Sequence, residues 1–229
     1  DGLTLNLTYR DGKLVQAATR GNGEVGEAIL PQARTVRTVP LSIPYKGLLE
    51  VQGECIMRLS VLEQYNKTAK EPLKNARNAA AGALRNLDPA VTAARRLDAF
   101  FYQVGTIENP PYHTQPGMLE FLRKNGFPVS TYLGEPKNAA ELVACIRHIE
   151  ELRNTLDFLI DGVVIKVGDF ALRERMGLTE KFPRWAVAYK FEAEESVTTL
   201  RKVTWELGRT GKLTPLAHLE PVDFYGVTV

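Results

Sequence analysis

Cysteine is scarce. Cys55 and Cys145 stand far apart in 229 residues, and no C-x-x-C pair occurs. That argues against a structural zinc site and suits free thiols in a reducing compartment. Long apolar runs are missing too. No stretch approaches the roughly 20 residues needed to span a bilayer, so no membrane partner is expected. Nor is there an excess of one charge: Lys plus Arg total 29 against 27 Asp plus Glu, for a net charge of +2. A protein that coats nucleic acid indiscriminately is more basic, so any nucleic-acid surface must be a local cluster offset by acidic faces. The opening residues, Asp1-Gly2-Leu3-Thr4-Leu5, lack an initiator methionine and the basic flank of a signal peptide. They open inside a strand pattern, as expected of a fragment. What is present is an ordinary globular mixture, 44% hydrophobic and 24% charged, which argues against disorder.

Leu3, Leu5, Leu7 and Tyr9 alternate with Thr4, Asn6, Thr8 and Arg10, a half-buried strand. Asp11-Gly12 predicts a tight hairpin turn and Leu14 to Arg20 the returning strand. A further strand is expected over Leu48 to Met57. Ser60 with Glu63 resembles a capping box that opens a helix. Ala76 to Leu87, Pro116 to Lys124 and Asn138 to Arg153 complete the expected helices. Strands then return at Gly162 to Val167, Trp185 to Phe191, Val197 to Leu207 and Lys212 to Leu219, with a turn at Gly208-Arg209-Thr210-Gly211. Strands and helices do not alternate strictly, so the class is α+β with largely antiparallel sheets. A boundary is expected near Glu192 to Glu195. It separates a domain over residues 1–195 from 196–229, a stretch too short for its own core and read as the truncated start of a second domain.

Two strands carry a lysine on an otherwise uncharged face. Lys166 shares its face with Val164, and Lys190 shares its face with Ala186 and Ala188. Each is either an exposed lysine on a solvated strand or part of a shared cleft, where a desolvated ammonium needs an anion such as phosphate. Arg20 and Glu54, each ending an apolar strand next to a glycine, fit the same cleft, and Gly21-Asn22-Gly23 is a weak phosphate-loop candidate. The run Asn75 to Asp88 places Arg77 and Arg85 two turns apart on a helix, separated by about 80°, with small side chains between. Two guanidiniums flanking such a face suit the phosphates of a nucleic-acid strand. The alternative is a buried alanine helix whose arginines pair with acids such as Asp88.

These segments together resemble the NAD-dependent DNA ligases over the whole chain. Asp1-Gly2 matches the second half of the Lys-x-Asp-Gly motif. Ala17 to Gly21 with Gly26-Glu27, Val51-Gln52-Gly53-Glu54, Phe100-Phe101-Tyr102, Asp161 to Val167, Pro183 to Phe191 and Gly208 to Pro215 follow in order. The Asn75-Ala76-Arg77-Asn78-Ala79-Ala80-Ala81-Gly82 run selects the NAD-dependent branch. The resemblance implies a nucleotidyltransferase (ATP-grasp-like) fold followed by the first strands of an oligonucleotide-binding (OB) barrel.

It also implies a reaction in which a lysine takes AMP from NAD and passes it to the 5′-phosphate of a DNA nick, which is then sealed. That lysine would lie two positions before Asp1, outside this chain, so the fragment by itself is expected to be inactive. Carried over from the family, Tyr102 would stack on adenine and Lys166 would close its other face beside Val164. Glu54 and Arg20 would hold the ribose and nucleotide. Lys166 and Lys190 would face the phosphates, and Asp161 and Asp1-Gly2 would support the phosphate and Mg²⁺ region. Arg77, Arg85 and Arg153 would meet phosphates of the nicked duplex or the nucleotide. A cytoplasmic, nucleoid-associated bacterial monomer is implied. Asn22, Ala28, Gln52 and Leu159 depart from the family pattern, and Leu159 would sit on the strand face of Asp161. A DNA-binding relative without chemistry and a nucleotidyltransferase that uses ATP or GTP are the competing readings.

Overall fold

Alternation along Leu3–Arg10 (β1) turns Leu5, Leu7 and Tyr9 fully inward and leaves Thr4, Asn6 and Thr8 on the opposite face. The computed structural model describes residues 1–21, 25–180, 182–192, 197–224 and 227–228. β1 turns at Asp11 and Gly12, both at positive φ as a tight hairpin requires. It pairs antiparallel with Lys13–Thr19 (β2). After a single helical turn, Leu30–Ala33 (α1), the chain returns as Leu48–Ile56 (β3), antiparallel to β1 on its other side. Asp1-Gly2 meets the end of β3 here: a Cβ on Gly2 would stand 2.0 Å from the Cys55 carbonyl oxygen, so only glycine lets the segments close.

Leu59–Asn66 (α2) begins before the expected Ser60 cap. Its first turn is held by a distant segment, because Asp157 accepts from the Ser60 backbone nitrogen at 2.8 Å and from its hydroxyl at 2.6 Å. Ala76–Leu84 (α3) is capped by Asn75, whose side chain accepts from Asn78 N at 3.1 Å. It ends earlier than expected, with Arg85 as its C-cap. Asp88-Pro89 then starts another short helix, Pro89–Ala94 (α4), so Asp88 caps a helix and pairs with neither arginine.

Asp98–Ile107 (β4) completes a four-stranded antiparallel sheet in the order β2-β1-β3-β4. Its apolar face is covered by α3, which buries Ala76, Ala79, Ala80, Ala83 and Leu84, and by Gln115–Lys124 (α5), which buries Met118, Leu119 and Leu122. Tyr9, Phe101 and Phe127 meet edge to face in that core at centroid distances of 5.3 and 5.0 Å.

Ala139–Leu152 (α6), capped by Asn138 as expected, leads into a 3₁₀ turn at Arg153–Thr155. Gly162–Lys166 (β5), Phe170–Met176 (α7) and Ala186–Lys190 (β6) follow. β5 and β6 form an antiparallel pair that matches Gly162 with Lys190 and Lys166 with Ala186. Leu159, expected on the strand face of Asp161, precedes β5 instead. Its side chain packs on the core and its carbonyl accepts from the Asp1 backbone nitrogen at 2.6 Å.

The chain divides into two compact units, Asp1–Phe191 and Glu192–Val229. In the second, Leu200–Leu207 (β7) pairs antiparallel with Leu213–Leu219 (β8) across the expected turn, and Asp223–Phe224 (β9) pairs with Val227–Thr228 (β10). The chain is thus mixed α and β, with antiparallel sheets throughout the described residues. No helix among those residues is long and apolar enough to cross a membrane.

Candidate functional site

The face of the four-stranded sheet turned away from the core is polar, and its rows follow from register. Asn6 lies between Ala18 and Gln52, with Gln103 beyond, and Thr4 lies beside Glu54. An open groove of about 600 Å³ runs over this face, lined by residues including Asn6, Gln16, Arg20, Glu50, Gln52 and Gln103. A bulge in β4 shapes it. The pairing slips between Gln52 and Gly53, so Phe101 and Val104 both point into the core while Tyr102 and Gln103, adjacent in sequence, both lie on the polar side. A regular strand would have buried one of them.

Glu54 lies on the polar face of the sheet beside Thr4. Its carboxylate accepts from the Gly2 backbone nitrogen at 3.0 Å and from the Thr4 hydroxyl at 3.3 Å. It lies within β3, not at its end, and the pairing with Thr4 is what aims it. Burial, then the Glu54 charge, pushes the Tyr102 phenol up to about 12, while Thr4 and Arg20 act the other way. Arg20, Glu54, Thr4 and Tyr102 therefore form one neighbourhood. Lys166 joins it from β5. Its ammonium stands 5.6 Å from the Tyr102 ring centroid and donates to Gln103 Oε1 at 3.3 Å. Burial, with the nearby Arg173 charge second, holds Lys166 down at about 8.

Lys190 is different. It shares the Lys166 face of the β5–β6 pair but lies four residues along, roughly 13 Å at strand spacing. Its side chain is 78% exposed and faces the Asp161 carboxylate at 3.6 Å. Only Lys166 is the desolvated lysine that the sequence suggested for both. Val164 is exposed between them, opposite Ala188.

Arg77 and Arg85 each meet an acid, and neither acid is Asp88. Arg77 Nε lies 3.2 Å from the Asp1 carboxylate and Arg85 Nε 3.2 Å from Glu27. Both pairs are largely solvated and contribute little to stability. Between the arginines, at Gly82, the outer face of α3 is open: outside the helix's own backbone, no atom of the described residues lies within 4 Å of where a Cβ would stand. Arg153 is half-buried in the 3₁₀ turn after α6. Asn22 lies outside the described residues. Ala28 bridges to Ala18, and Gln52 sits in the groove.

Sequence reasoning missed Thr4, Gln103, Gln115 and Arg173. The alternation of β1 could have given Thr4, since it shares a face with Asn6. Gln103 depends on the bulge and had no signal.

No cluster of three or more His, Cys, Asp or Glu able to hold a metal occurs among the described residues. Asp161 offers one exposed carboxylate. That fits Mg²⁺, which takes one or two carboxylates and fills its shell with phosphate oxygens and water.

Comparison with known proteins gives a consistent result. Residues 1–194 match the model of the NAD-dependent DNA ligase adenylation domain, and residues 197–229 that of the NAD-dependent DNA ligase OB-fold domain. The chain is 58% identical over its full length to a DNA ligase of Alkaliphilus metalliredigens, 60% to one of Alkaliphilus oremlandii and 55% to one of Finegoldia magna. It spans 35% of the length of each of these relatives.

Proposed function

Because this chain belongs to the NAD-dependent DNA ligase family, we propose that it is the nucleotide-transferring core of a ligase that joins nicked duplex DNA. The carrying observation is the approach of the Lys166 ammonium to the Tyr102 ring, in a neighbourhood that includes Glu54 and Arg20. A flat base between the phenol ring and the lysine stem would have a ring on one side and aliphatic carbon on the other. Glu54 and Arg20 then lie where ribose hydroxyls and the nucleotide would be held.

In the proposed reaction, the amine of a lysine two positions before Asp1 attacks the α-phosphorus of NAD. A phosphorus–nitrogen bond forms, and the phosphorus–oxygen bond to nicotinamide mononucleotide breaks. AMP next passes to the 5′-phosphate of a nick, and the 3′-hydroxyl displaces it. Preplaced cations stabilise the charge spread over the transferring group, and Lys166 is the one already stripped of water. Lys190, paired with Asp161, would also face the phosphates; Asp161 would help to hold Mg²⁺, which when bound would supply further charge neutralisation. Arg77, Arg85 and Arg153 would bind phosphates of the nicked strand or the nucleotide, giving up solvated partners where they have them. The fold would be a nucleotidyltransferase domain over residues 1–195 and an OB domain from 196. The protein would act as a monomer on the bacterial chromosome, in the cytoplasm.

The test is intact mass of the full-length protein after incubation with Mg²⁺ and either NAD or ATP. A mass increase of one AMP with NAD alone is the expected result. Labelling by ATP instead would move the protein to the triphosphate-using branch. No label from a folded protein would favour a relative that binds DNA without chemistry.

A further inference from the structure

Arg173 is the most deeply buried charge in the chain's described residues, 7% exposed, and no carboxylate among them lies within ion-pair distance. Its partners are neutral. Nε donates to the Val167 carbonyl at 2.6 Å and Nη2 donates to Gln115 Oε1 at 2.8 Å. The guanidinium carbon lies over two rings, 4.4 Å from the Phe170 centroid and 4.5 Å from that of Trp185. A buried cation with no anion among the described residues, and near a second cation at Lys166, is a poor device for stability alone. Its hydrogen bonds show what it joins. Val167 follows Lys166 directly. Gln115 stands at the start of α5, where its side-chain nitrogen reaches the Tyr102 carbonyl at 3.5 Å and its backbone nitrogen donates to Gly168 at 2.8 Å.

We propose that Arg173 is a positioning residue that, through Gln115, ties the strand carrying Tyr102 to the strand carrying Lys166 and so fixes the spacing of the two walls of the base site. The proposal rests on the reading of that site as the adenine site. With 5.6 Å between ammonium and ring, the walls must part to admit a base, and the tether sets how far. Only arginine suits the position: its flat fork makes both bonds while lying over the rings, whereas a lysine ammonium offers a point charge without a plane.

In the full-length protein, adenylate formation from NAD is followed for the wild type, Arg173→Lys, Gln115→Met and the double variant. The expected result is a KM for NAD about tenfold higher in each single variant, the scale of one charge-assisted hydrogen bond, with kcat changed less. The double variant should be no worse than either single one, because both remove the same bridge. Arg173→Lys should also keep the alkaline limb of the rate profile in place, since the positive charge remains. Additive effects, or an unchanged KM beside a lowered thermal midpoint, would make Arg173 a structural residue and overturn the proposal. An unchanged KM in Arg173→Lys beside a raised one in Gln115→Met would mean that charge alone is what the position supplies, and would also overturn it. A wild type that forms no adenylate would defeat the reading of the site, and the tether with it. If Arg173→Lys does not fold, Gln115→Met carries the test by itself.

Discussion

Lys166 sits where its charge is disfavoured, and that gives the site a pH signature. A lysine normally titrates near 10.4, and burial brings this one to about 8. In the free protein the fold therefore favours the neutral amine. The corresponding stability is fully present above the unfolded value and is lost as pH falls through about 8. An anionic nucleotide reverses the preference by restoring the ammonium. AMP binding at pH 9 should take up a proton and weaken as pH rises above about 8. Titration calorimetry in buffers of different ionisation enthalpy measures the uptake, and Lys166→Met should abolish it. Binding without proton uptake in the wild type would remove Lys166 from the nucleotide contacts. The sequence pointed to this lysine because it stood on an uncharged strand face. Lys190 gave the same signal, yet the structure leaves it exposed beside Asp161. Period-two alternation identifies a face without saying whether water covers it.

At the scale of elements, alternation and capping made much of the fold legible. β1, its hairpin turn, α5 and α6 lie close to where their apolar spacing and caps placed them. Three features escaped because long-range contacts decided them. The first turn of α2 takes its acceptor from Asp157, almost a hundred residues along, so Ser60 and Glu63 formed no local box. The bulge that puts Tyr102 and Gln103 on one side arises from pairing with β3, and nothing in Phe100-Phe101-Tyr102-Gln103 announces it. Leu159 was assigned to a strand that starts only at Gly162. The β5–β6 pair offers a direct test. A Cβ on Gly162 would stand 2.2 Å from the Tyr189 carbonyl oxygen, so Gly162→Ala should part the strands that carry Lys166 and Lys190. The expected outcome is a lowered thermal midpoint together with loss of adenylate formation. A fully active variant would show that this pairing does not set the site.

On the scale of the molecule, the proposed DNA substrate sets a condition: a near-neutral net charge must still permit hold of a polyanion. Arg77 and Arg85, at the two ends of one helix, are the proposed means, each lightly held by a solvated acid that a phosphate can replace. Replacing either with alanine should weaken nicked-duplex binding and reduce the slope of log affinity against log salt by about 1. Fluorescence anisotropy across a salt series measures both, and an unchanged slope would remove that arginine from the phosphate contacts.

The bare spot at Gly82 sets two demands against each other. Glycine inside a helix is less favourable than alanine by about 1 kcal/mol, and no neighbouring atom of the described residues occupies the space where the methyl group would go. Gly82→Ala should therefore melt at a higher temperature while joining nicked DNA more slowly, since the added methyl would keep a duplex backbone from settling against the helix. A hardier protein would then be a worse enzyme, and the position would mark where tolerance of heat is traded for closeness to the substrate.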